Sequence, residues 1–184
     1  MELFNQIIKF VDVNLIYCLI PMILTLVLIQ LFFKDRFRTK KALNVIRWLI
    51  ISYAIITIIN FLIGLTNSSD ELELINRATG PYKLAYLLMF MCATILPLTL
   101  IKKTLASKNF YLLLVAILMK NGWYLERFII ISTSFHRDYL PEGEPTSWFL
   151  SETILLILLQ GFTISILILT TIELIERKRV HNKL

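Results

Sequence analysis

Apolar residues recur along this chain in long runs separated by short polar stretches, and the lengths of the runs predict the elements. The first, residues 13–33, is broken only by Asn14, Pro21, Thr25 and Gln30. At ~1.5 Å per residue, a helix over such a run crosses the ~30 Å hydrocarbon core of a bilayer. Further runs predict helices over 42–65, 81–101, 110–134 and 147–175. Pro21 and Pro97 are expected to kink their helices, and Pro81 suits a first helical position. Arg47 lies near one end of its run and is expected to snorkel to the interface. Asn60, a lone polar group late in the same run, calls for an interhelical hydrogen bond. Trp148 falls where a membrane's aromatic belt would be. Tyr82, Tyr86, Met89, Phe90 and Met91 read as a packing stripe.

Composition sharpens this. The 184 residues are 57% hydrophobic, above the ~45–50% of soluble domains. The expected fold class is therefore an all-α integral membrane protein, one domain over residues 1–184 built as a five-helix bundle. The formal charge of +6 would suggest nucleic acid in a soluble protein. Here the cations fall in alternate loops: 34–41, 102–109 and 176–184 are basic, whereas 66–80 and 136–147 are acidic. The positive-inside rule then puts the N-terminus outside and the C-terminus in the cytoplasm, with no nucleic-acid partner. The first run lacks a basic leader and a small-residue cleavage site, so it is expected to remain as a helix. The expected location is the bacterial inner membrane, multi-pass.

Candidate chemistry is sparse. Cys18 and Cys92 lie in different runs and are too few for an iron–sulfur cluster. His136 and His181, the two histidines, fall on opposite sides of the expected membrane and cannot ligate one haem. No zinc spacing, phosphate loop or nucleophile–base signature is present, so no metal is expected. Glu126 and Arg127 sit within an apolar run, with Lys120 upstream. A charge at the bilayer centre costs ~2.5–3.5 kcal/mol on insertion scales, so these side chains need a partner helix, a partner subunit or a wet cavity. A structural ion pair and a proton-handling role both remain open. His136, Arg137 and Asp138 form a polar cap before Pro141, readable as a helix cap or as a docking patch.

Two segments resemble a known family. One is Ile75, Asn76, Arg77, Ala78, Thr79, Gly80, Pro81 and Tyr82, continuing to Cys92 and Pro97. The other runs from Trp123 through Glu126-Arg127-Phe128 and His136-Arg137-Asp138-Tyr139-Leu140-Pro141 to Trp148. In order and spacing they resemble the NrfD/polysulfide-reductase membrane subunits, in particular the C-terminal part of the alternative complex III C subunit. The resemblance covers about residues 42–175. It implies a shortened membrane subunit of a quinone-linked respiratory complex, with helices 2–5 as the bundle and helix 1 peripheral. Asn76, Arg77, His136, Arg137 and Asp138 would dock an iron–sulfur or haem-bearing subunit on the outer face, alongside other membrane subunits and lipid. Family members are longer, and their quinol site lies mainly in an N-terminal bundle with no counterpart here. Asn60 stands where the family usually has an acidic residue. The chain is thus expected to hold no cofactor itself, any quinone or quinol being shared with partners. Two alternatives are a quinol-binding half-subunit, with Glu126, Arg127 or His136 handling protons, and a small proton or ion transporter.

A reporter fused to the C-terminus should read as cytoplasmic and one inserted at Ser69 as external. A cytoplasmic signal from Ser69 would reverse the orientation.

Overall fold

The computed structural model describes residues 2–65, 79–80, 83–122, 124 and 152–181. Among these residues every regular element is helical. Helix α1 (Glu2–Val11) runs through a π turn, Asp12–Ile16, toward α2 (Leu19–Phe33). A short 3-10 turn leads to α3 (Thr39–Gly64). Then come α4 (Lys83–Leu98), a 3-10 turn (Thr99–Ile101), α5 (Lys103–Ala106), α6 (Asn109–Met119) and α7 (Glu152–His181).

Four helical stretches are long and apolar enough to cross a membrane: Gln6–Phe33, Thr39–Gly64, Lys83–Ile101 and Leu155–Arg179. The shortest, at 19 residues, still measures about 28 Å. The chain therefore has the character of a multi-pass membrane protein. The expected span over 110–134 is described only in its first half, as α6, and residues 125–151 lie outside the described residues. Large apolar side chains point outward along the spans, including Phe32 at 79% exposure and Leu84 at 77%. Hydrocarbon can solvate such a surface, whereas water would leave an apolar patch far larger than soluble proteins tolerate.

Hydroxyl groups inside the spans are satisfied locally. Thr25 donates to Pro21 O at 2.7 Å, Thr57 to Tyr53 O at 2.9 Å and Thr94 to Phe90 O at 2.7 Å. Ser165, fully buried, donates to Phe162 O at 2.8 Å. Each bond returns a polar group to its own helix, as a medium without water requires.

The prolines act differently from simple mid-helix kinks. The irregularity lies before Pro21: Tyr17 N–H reaches back to Asp12 O at 3.1 Å, a π-type bond, and α2 starts afresh at Leu19. Pro21 thereby falls in the first turn of α2, where its missing N–H orphans no carbonyl. Pro97 sits one residue before α4 gives way to the 3-10 turn. Arg47, near the start of α3, is 7% exposed, and its Nη1 donates to Asn44 Oδ1 at 3.0 Å. The last helix, expected to end near residue 175, continues to His181. Arg177, Lys178 and Arg179 occupy its C-terminal turns, where cations favour the helix dipole.

The described residues divide into two compact units, 1–47 with 143–184, and 48–142. In the first unit α2 packs along α7. The α2 face is Cys18, Leu19, Met22, Ile23 and Leu26, all fully buried, at the four-residue spacing of one helical side. Within its unit the first span packs directly on α7. The close approach depends on Gly161, where an added Cβ would lie 2.5 Å from Pro21 Cγ and 3.0 Å from Cys18 O. In the second unit α4 packs along α6. Leu112, Val115, Ala116 and Met119 form the buried stripe of α6, and the Phe61 and Phe90 rings lie 4.6 Å apart.

Gly161→Ala should destabilise the protein by about 1–3 kcal/mol, as overpacking of a tight contact does. Gly64, with nothing within 4 Å of an added Cβ, is the control, and Gly64→Ala should change little. Thermal unfolding in neutral detergent reads both; equal midpoints for the two variants would refute the Gly161 contact.

Candidate functional site

Glu126, Arg127, His136, Arg137, Asp138, Asn76 and Arg77 all lie outside the described residues. Of the charged groups in that run, Lys120 is described. Its ammonium lies 5.9 Å from the centroid of the Tyr53 ring, a distance at which a ring quadrupole attracts a cation. Lys120 also closes α6, with φ −106° and ψ 16°, and donates its N–H to Ile117 O. The expected continuous helix over 110–134 is therefore interrupted at Lys120, and Tyr124 N–H then bonds to Lys120 O at 3.1 Å.

Within the first unit, two polar constellations join α7 to the opening segment. One lies inside the spans. Gln160 Nε2 donates to the Asn14 carbonyl at 3.0 Å and approaches Asn14 Oδ1 at 3.3 Å, while Asn14 Nδ2 donates to Phe10 O at 2.9 Å. Asn14 belongs to the π turn, where the hydrogen-bond ladder changes register. The sequence contained a signal for this pair: an amide in each of two apolar runs, each needing a partner away from water. The spacing alone did not match them to each other.

The other constellation is charged and lies where α3 begins. Glu173 and Glu176 are one turn apart on α7 and so share a face. Glu173 Oε1 accepts the backbone N–H of Arg38 at 2.8 Å. Glu176, 15% exposed, accepts from the Arg38 guanidinium and from Lys41 Nζ at 2.6 Å, with Arg179 Nη1 at 4.0 Å. Arg38 O in turn receives Lys41 N–H at 3.0 Å and Ala42 N–H at 3.4 Å, capping α3. Two carboxylates thus fix both the first turn of α3 and its cations. The turn before it carries Lys34 at φ 44°, a left-handed backbone conformation that few non-glycine residues adopt. Beside the cluster is a cavity of ≈ 350 Å³ lined by Gln30, Phe37, Arg38, Thr39, Lys40 and Lys41.

Among the described residues no group of His, Cys, Asp and Glu could hold a metal ion. Cys18 is buried and Cys92 half-buried, both as free thiols. The described polar groups can join helices and attract anions. Comparison with protein-family models, with curated proteins and with solved structures finds no match.

Glu176→Gln should lower the unfolding midpoint, with a larger loss at low than at high salt, because it removes a charge facing two cations. Glu173→Gln keeps an oxygen for the Arg38 N–H and should be nearly silent. Salt-independent losses of equal size in both variants would show that charge is not what holds this end of α7.

Proposed function

We propose that this chain is a shortened NrfD-like membrane subunit of a quinone-linked respiratory electron-transfer complex, anchoring partner subunits rather than holding a redox centre. One observation carries the reading: the ordered pair of strings 75–97 and 123–148, with Asn76-Arg77 in the first and Glu126-Arg127 and His136-Arg137-Asp138 in the second. The four apolar spans support it, since a membrane subunit needs an outer surface that lipid or neighbouring subunits can cover. So does the use made of the described polar groups. Asn14, Gln160, Glu173 and Glu176 tie helices to one another.

In this reading five helices cross the bacterial inner membrane, with the N-terminus outside and the C-terminus in the cytoplasm. Asn76, Arg77, His136, Arg137 and Asp138 then share the outer face and dock an iron–sulfur or haem-bearing subunit. Glu126 and Arg127 join the bundle to that face. The charge of Glu126 within an apolar run favours a second reading, in which it accepts a quinol proton.

Purification of the native chain in mild detergent tests the proposal. The expected result is co-purification of other membrane subunits with an iron–sulfur or haem protein. A chain recovered alone, with quinone bound, favours the second reading. One recovered alone that conducts protons in liposomes favours a transporter. Glu126→Gln should be tolerated in assembly better than Glu126→Leu, and it should abolish quinol-dependent electron transfer only if Glu126 moves protons.

A further inference from the structure

The 34–41 turn and the end of α7 are far apart in sequence, yet Glu173 and Glu176 bring them together through Arg38 and Lys41. Cations outnumber carboxylates at this end of the unit. Lys34, Arg36, Lys40 and Lys178 add to the bonded Arg38 and Lys41, and their side chains are exposed. The ≈ 350 Å³ cavity opens at this cluster, with Arg38, Lys40 and Lys41 supplying cationic donors and Thr39 and Gln30 polar atoms. On the last turn of α2, Leu31 is 70% exposed, Phe32 79% and Phe33 50%. Phe37 and Phe33 meet edge to face at 5.5 Å, which joins the two regions.

We propose that this cavity binds the phosphate headgroup of an anionic glycerophospholipid, with an acyl chain lying along Leu31 and Phe32. Donors and apolar surface meet at one place, in the order in which a lipid presents phosphate and hydrocarbon. A basic pocket at the end of membrane-crossing helices is the kind of site that binds such headgroups. A free phosphate would use the donors and leave the apolar surface uncovered. Lys40 is the residue to test. It is exposed and lines the cavity, whereas Lys41 and Arg38 are engaged by Glu176. The inference rests on the membrane character of the chain and not on the respiratory reading.

Native mass spectrometry of the full chain in neutral detergent, titrated with phosphatidylglycerol or phosphatidylcholine, tests it. The chain should retain phosphatidylglycerol at concentrations where phosphatidylcholine is lost, and millimolar inorganic phosphate should not displace it. Losing one charge-assisted hydrogen bond corresponds to about a tenfold change in affinity, so Lys40→Gln should weaken phosphatidylglycerol by about that factor and Lys40→Glu by more. Lys178→Glu, at the same end but outside the cavity lining, should leave affinity within about twofold. Equal retention of the two lipids would overturn the proposal. So would equal losses for Lys40→Glu and Lys178→Glu, which indicate diffuse attraction, or displacement by inorganic phosphate, which indicates an anion site without a lipid. Unchanged circular dichroism and elution confirm that each variant is folded; should Lys40→Glu fail this check, Lys40→Gln alone decides.

Discussion

A polar group inside hydrocarbon has no water to turn to, and the arrangement of the described helices follows from that constraint. Threonine and serine hydroxyls bond to carbonyls one turn back on their own helices. The Asn14 amide donates to Phe10 O on its own helix, whereas the Gln160 amide reaches across to the Asn14 carbonyl and Oδ1. That requirement selects which helices must pair. Gly161, adjacent to Gln160, lets the backbones approach closely enough at Pro21 for the amides to meet. Between apolar helices in lipid there is little hydrophobic force to drive association, so close packing and such bonds carry it.

A second constraint acts toward the end of α7. Glu173 and Glu176 lie about four turns beyond Gln160 on α7, and they hold the start of α3. One helix thus fixes the opening segment at two levels, by amides within the span and by ion pairs at its end. The carboxylates do not neutralise the basic turn they hold. They draw Arg38 and Lys41 into position, and Lys40 stays exposed at the cavity.

Much of this was legible in the pattern of apolar runs. Runs 42–65 and 81–101 appear within a few residues of their expected bounds, because length and hydropathy alone set them. The pairing of helices was not legible. Periodicity says that a face will be buried but not against what, and the match between Asn14 and Gln160 is a fact of three dimensions. Pro21 misled in a particular way: a mid-run proline reads as a kink, yet the π turn before it moves the irregularity to Tyr17 and restarts the helix. Nor did the sequence match Glu173 and Glu176 to Arg38 and Lys41, some 135 positions away. The candidate site rests on resemblance at the strings 75–82 and 123–141, and the side chains it names fall outside the described residues.

The Asn14–Gln160 bond joins residues 146 positions apart, and this bears on biogenesis. At ~5–20 residues per second, the ribosome takes on the order of ten to thirty seconds to make that interval. Throughout it, the π turn and its amide are already in or near the bilayer while α7 does not yet exist. The early span therefore waits without the Gln160 donor at its Asn14 carbonyl, while the Asn14 amide bonds to Phe10 O on its own helix. Completion of α7 ends the wait at two points, Gln160 within the span and Glu176 at its edge.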